Sequence, residues 1–110
     1  MSDLTLKQLQ NMILQQAADK GFGTTPDEIN VAEKIALIHS EVSEAYEAYR
    51  HKNMTGGKDS FEDELSDVIQ RTLHLAAVMN VDVQQAILDK LEINKSREWK
   101  ADELNETLVK

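Results

Sequence analysis

Apolar positions recur every three to four residues along most of this chain, the period of an α-helix rather than a strand. Leu6, Leu9, Ile13 and Ala17 set that period in a first segment, residues 4–19, which Gly21 and Gly23 end. Thr25-Pro26-Asp27-Glu28 then offers an N-cap threonine, a proline at the first helical position and a glutamate at the third. That capping box predicts a second helix over residues 25–52, with no breaker inside it. Residues 53–59, Asn53-Met54-Thr55-Gly56-Gly57-Lys58-Asp59, read as a loop. Ser60 caps a third helix over 60–79, closed by Asn80. Asp82, with Gln85 three residues on, caps a fourth over 82–98. Short connections make successive helices antiparallel, so the expected fold is all-α and four-helix bundle-like.

Composition supports that expectation. A chain of 110 residues with one Pro and four Gly has few breakers, and it is one domain long. Residues 1–99 form the expected domain and 100–110 a polar C-terminal tail. A core this small favours completion by other copies of the chain, as a homodimer or homotetramer. The absence of cysteine excludes disulfides and thiolate metal sites. No stretch has the apolar length of a signal peptide or membrane span, which makes a cytoplasmic protein with no membrane partner the expectation.

Charge sharpens the picture. Of the net −8, residues 27–67 hold eleven acids against four bases, or −7. A field of that sign repels nucleic acid, and it repels a nucleotide unless bound cations reverse it locally. An acidic surface that only keeps the protein soluble is the plainer explanation of the charge alone.

The placement of the acids argues for more. On a helical wheel, Glu41 falls inside the apolar arc of the second helix, between Ala48 and Ala45, and Glu44 lies at its edge beside Leu37. Glu64 lies beside Leu75 and Val68 on the third helix, with Asp67 flanking it. Each helix thus carries two acids at i and i+3 on or next to its buried face. At about 1.5 Å per residue, a hairpin brings the pairs to nearly the same level. Clustered buried carboxylates need cationic compensation. Oxygen-only ligands suit Mg²⁺, Mn²⁺ or Ca²⁺. The alternative is pairing with Lys34 or Arg71. A di-iron bundle needs Glu-x-x-His, and none of His39, His51 and His74 has a Glu three residues earlier.

Glu41-x-x-Glu44, nineteen residues, then Glu64-x-x-Asp67 resembles the signature of the MazG-like family of all-α nucleotide pyrophosphohydrolases. The flanks, Leu37-Ile38-His39-Ser40-Glu41-Val42-Ser43-Glu44-Ala45 and Phe61-Glu62-Asp63-Glu64-Leu65-Ser66-Asp67-Val68, also look alike, and the resemblance spans roughly residues 4–99. Many members carry another Glu where this chain has Ser40. The resemblance implies Mg²⁺-dependent hydrolysis of nucleoside or deoxynucleoside triphosphates to the monophosphate and pyrophosphate, with Mn²⁺ able to substitute, and house-cleaning of the nucleotide pool is common in the family. It casts Glu41, Glu44, Glu64 and Asp67 as metal ligands and catalytic groups, with Glu62 or Asp63 as further candidates for the base. Lys90, Asn94 and, more loosely, Lys95 or Arg97 match the family's phosphate-binding residues. Gln10, which falls among apolar residues of the first helix, and the aromatic Phe22 and Trp99 are candidates for holding the base, although each also suits plain packing. A dUTP- or dCTP-directed member of the same superfamily and a non-catalytic helical interaction protein are the competing readings. No basic stripe supports nucleic-acid binding.

Overall fold

Thr5 starts the first helix by closing a capping box: its hydroxyl accepts from the Gln8 amide at 3.1 Å, and Gln8 Oε1 accepts from the Thr5 amide at 2.7 Å. The computed structural model describes residues 3–97. The described elements are α1 (Leu6–Lys20), a single 3₁₀ turn (Pro26–Glu28), α2 (Val31–Arg50), α3 (Phe61–Val78) and α4 (Val83–Ser96). There is no strand among the described residues. Helix α1 ends at Gly21, which takes a φ of 74° and returns its amide to the Ala17 and Ala18 carbonyls.

The second helix does not start where the capping box stands. Glu28 Oε1 accepts from the amides of Thr24 and Thr25, at 3.0 and 3.1 Å, so the box closes on the 3₁₀ turn alone. The chain then becomes extended at Ile29, with φ −129° and ψ 164°. Asn30 opens α2 instead, its side-chain oxygen accepting from the Glu33 amide at 3.0 Å. Ile29, extended at the break, lies against Gly23, where an added Cβ would come within 2.8 Å of its Cγ2. The other two predicted caps stand: Ser60 Oγ accepts from the Asp63 amide, and Asp82 Oδ1 accepts from the Gln85 amide. Helix α4 is described to Ser96, and the predicted end at Glu98 lies outside the described residues, as does the tail 100–110.

Helices α2 and α3 form an antiparallel hairpin. Tyr49 stacks at an angle on Phe61, with centroids 6.1 Å apart, while further along Glu41 pairs with Arg71. Ala45 and Ala48 are buried along this seam, where their small side chains let the helices approach. Helix α1 packs on α3, burying Ala17 and Leu73. Buried Gln10 ties it to the α3–α4 turn: Nε2 donates to the Val81 carbonyl at 2.7 Å and Oε1 accepts from the Val83 amide at 3.4 Å.

Helix α4 is the outlying member. It meets α1 lightly, near its start, where Lys7 pairs with Asp82 and the Lys7 amide donates to Gln84. Ile87, Leu88, Leu91 and Ile93 along it are exposed, as are Val42, Tyr46 and Tyr49 on α2. The apolar arcs read from the sequence are therefore wider than the surface one chain covers. A layer centred on α3, with α1 and α2 against it, describes the described residues better than a closed four-helix bundle. No described helix is long and apolar enough to cross a membrane.

Candidate metal centre

Antiparallel packing of α2 on α3 brings Glu41, Glu64 and Asp67 together, each offering a carboxylate oxygen within 4.8 Å of the others. Octahedral Mg²⁺ at about 2.1 Å from each oxygen spreads opposite ligands by about 4.2 Å, so small side-chain rotations suffice to close the set on an ion. Glu64 is the innermost member, only 4% exposed, and the Glu41 side chain is 12% exposed. Glu41 Oε2 and Glu64 Oε2 are both buried with no hydrogen-bond partner. Buried carboxylate oxygens without donors are costly, and a hard cation is the group that such an oxygen-only set fits.

Electrostatics record the crowding. Burial, helped by contact with Glu41 and Glu44, pushes the Glu64 carboxyl up to about 7. Asp67 is also raised, by burial first and then by the charges of Glu41 and Asp63, against the opposing pull of Arg71. Arg71 supplies part of the compensation the cluster needs: its Nε donates to Glu41 Oε1 at 3.1 Å. The sequence alternative of an acid–base pair is thus present for one oxygen of Glu41, and it leaves the other oxygen and Glu64 unpaired.

Glu44 stands apart from the three-oxygen set. It is exposed and lines a recess of about 440 Å³ with Glu47, Ala48, His51, Asn53, Asp59 and Glu64. Glu64 is the wall it shares with the cluster.

Asp67 also faces a second cavity, of about 460 Å³, lined by Ile13, Gln16, Ala17, Phe22, Lys34, Gln70, Arg71 and His74. Gln70, Arg71 and His74 follow Asp67 at i+3, i+4 and i+7, one stripe of α3. Lys34 comes from the first turns of α2 and Phe22 from the loop after α1. His74 Nε2 donates to the Gly23 carbonyl at 2.9 Å, which pins that loop over α3. Phe22 is 57% exposed, leaving much of its ring open. Two cations, two amides and an aromatic ring thus line one cavity together with Asp67.

The remaining sequence candidates lie elsewhere. Gln10 spends its amide on Val81 and Val83 and lines neither cavity. Lys90 and Arg97 are exposed on and just after α4, and Asn94 is half-buried with an unpartnered Oδ1. None of the three lines the Asp67 cavity. Trp99 lies outside the described residues. Sequence reasoning treated Lys34 and Arg71 only as partners for acids. Their heptad-like offsets, seven before Glu41 and four after Asp67, were the available signal that they share a face with the ligands. Asp59 was read only as part of a loop.

Comparison with family models, with characterised proteins and with solved structures finds no match to this chain. What fold and site define is an all-helical protein with a buried, under-compensated carboxylate cluster beside a cationic cavity.

Proposed function

We propose that this chain is a divalent-cation-dependent nucleoside triphosphate pyrophosphohydrolase, as its resemblance to the MazG-like family implies. The observation that carries the reading is the pair of buried, unpartnered oxygens on Glu41 and Glu64 within one three-carboxylate cluster. Glu41, Glu64 and Asp67 would hold Mg²⁺, or Mn²⁺ in its place. When bound, such a cation would supply positive charge to offset what grows on the phosphates in the transition state. Lys34 and Arg71 line the adjoining cavity and neutralise the rest of the triphosphate. The open ring of Phe22 offers a stacking face for a base, and the amides of Gln16 and Gln70 offer donors and acceptors for its edge. Glu44, next to Glu64 and outside the three-oxygen set, takes the part of the base that accepts a proton from the attacking water. Lys90, Asn94 and Arg97 do not line the cavity beside Asp67 and would meet the phosphates through α4 of a second copy, for which the exposed Ile87, Leu88 and Leu91 offer an apolar surface.

The test is pyrophosphate release from a panel of canonical and modified nucleoside and deoxynucleoside triphosphates, with and without Mg²⁺. Wild type releases pyrophosphate only with the metal, and Glu41→Gln does not. A folded, metal-loaded protein that releases none from any substrate overturns the reading and leaves a helical interaction protein in its place.

A further inference from the structure

We propose that His74 is a positioning residue for the nucleobase. Through the Gly23 carbonyl it holds Phe22 as a fixed aromatic wall of the cavity beside Asp67, and so sets how much more tightly a base-bearing triphosphate binds than a bare one. The proposal rests on the reading of that cavity as a nucleotide site and makes no use of the hydrolytic step.

Phe22 stands between Gly21, with a φ of 74°, and Gly23, with a φ of 93°. Glycine has the widest backbone freedom of any residue, so the Gly21-Phe22-Gly23 run has little stiffness of its own. Hydrogen bonds on either side of the ring-bearing residue fix it. The Phe22 amide donates to the Ala17 carbonyl at 2.9 Å, which anchors the run to the end of α1. The Gly23 carbonyl accepts from His74 Nε2 at 2.9 Å, which anchors it to α3. A carbonyl oxygen can only accept, so Nε2 carries the proton.

The Phe22 ring is 57% exposed, although Phe22 lines the cavity with Lys34, Arg71 and His74. A ring that open gains little from burial, so restraining its backbone at both ends suits a binding face better than a core contact. His74 lies on the α3 stripe that carries Asp67, seven residues further on. The wall is thereby set in register with the carboxylate cluster and not with α1 alone. With Nε2 spent on Gly23, the phosphates fall to Lys34 and Arg71, and the effect of His74 is confined to ligands that carry a base. Ordering a side chain before the ligand arrives removes that cost from binding, and releasing one such side chain weakens affinity by about three- to tenfold.

The experiment measures, by calorimetry with Mg²⁺ present, the affinity of the full-length chain for two kinds of probe. One is the set of α,β-methylene analogues of the common ribonucleoside triphosphates, which resist cleavage; the other is inorganic tripolyphosphate, which has no base. Wild type binds at least one analogue more tightly than tripolyphosphate. His74→Leu removes the donor, narrows that gap by about three- to tenfold and leaves tripolyphosphate affinity unchanged. His74→Gln keeps an amide donor at the reach of Nε2 and restores most of the gap. In a Phe22→Leu background the gap is already reduced and His74→Leu adds nothing, the coupling expected of a residue that acts through another. Circular dichroism checks the fold. Should His74→Leu unfold, His74→Asn, whose shorter amide stops short of Gly23, takes its place. Equal weakening of tripolyphosphate and analogues overturns the proposal, since His74 would then be a phosphate contact or a purely structural residue. Additive losses in the double variant, or a wild type indifferent to the base, overturn it too. Pyrophosphate release by a wild type indifferent to the base leaves the hydrolase reading standing while this one falls. Base-dependent binding that needs His74, without release from any substrate, does the reverse.

Discussion

Arg71 donates from Nε to Glu41 Oε1 across the α2–α3 seam at 3.1 Å, while Glu41 Oε2 stays buried and unpartnered. A guanidinium that satisfies half a carboxylate holds the cluster together without filling it. Arg71→Met should therefore lower stability by about 1.5–3 kcal/mol, the scale of a hydrogen bond to a charged group, since Glu41 loses its donor. Arg71→Lys should recover only part of that, because an ammonium lacks the planar fork. Denaturant unfolding without metal checks both. Saturating Mg²⁺ should shrink the Arg71→Met deficit; an unchanged deficit would mean that the ion does not reach Glu41.

Glu64 makes stability depend on pH in an uncommon direction for a carboxylate. Its folded pKa, about 7, lies above the ordinary value of 4.5. The stability it contributes is fully present below about 4.5 and is lost as pH rises through about 7. Without metal, the melting temperature should fall between pH 5.5 and 8, by on the order of 5 °C for a domain this small. Glu64→Gln should flatten that slope. Divalent-ion affinity should run the other way, rising up to about tenfold per pH unit until pH 7 and then levelling, because the ion displaces the Glu64 proton.

Gln10 holds the α3–α4 turn through the Val81 carbonyl and the Val83 amide. Gln10→Leu leaves both without a partner and should cost about 1–3 kcal/mol. If Gln10 instead recognised a base, the substitution would raise KM selectively among nucleotides. The structure leads us to expect equal relative KM values across a substrate panel, with a lower melting temperature.

Gly23 takes a φ of 93°, and a Cβ there would meet Ile29 Cγ2 at 2.8 Å and the Glu28 carbonyl oxygen at 3.2 Å. Gly23→Ala should destabilise by about 1–3 kcal/mol, the range for a residue held in a sparsely populated backbone region. Because the Gly23 carbonyl accepts from His74, the same change should loosen the loop that carries Phe22. Gly21→Ala provides the comparison: it has a φ of 74° with nothing within 4 Å, so its cost should be strain alone and smaller.

Exposed Leu91, Ile93 and Leu88 on α4, with Tyr46 and Val42 on α2, leave apolar surface for another copy. Light scattering at micromolar concentration should report at least a dimer, and Leu88→Glu/Leu91→Glu should shift it toward monomer. A monomeric wild type would remove the second copy from the account of Lys90, Asn94 and Arg97.

Much of this protein was legible in the order of its residues. Local chemistry is enough to set a helix where a capping side chain meets a 3.6-residue apolar period, so Ser60 and Asp82 mark the starts of α3 and α4 without help from distant contacts. The wheel positions of Glu41 inside its apolar arc and of Glu64 beside its own were also readable, and both are taken out of water. Thr25-Pro26-Asp27-Glu28 misled because a capping box specifies only the turn it closes. Here the chain turns extended at Ile29, packed against Gly23, and Asn30 caps the helix afresh.

Tertiary structure alone decided which polar groups found partners. Periodicity places Gln10, Lys34, Arg71 and Asp59 on faces of helices or in loops. It cannot say that Gln10 meets a turn some seventy residues away, that Arg71 takes one oxygen of Glu41, or that Asp59 comes within reach of Glu64. Those outcomes depend on how closely α2 and α1 approach α3, which side-chain volumes along the seams determine. The sequence by itself determined helices and an acidic hairpin; packing determined which of its carboxylates were left in need of a cation.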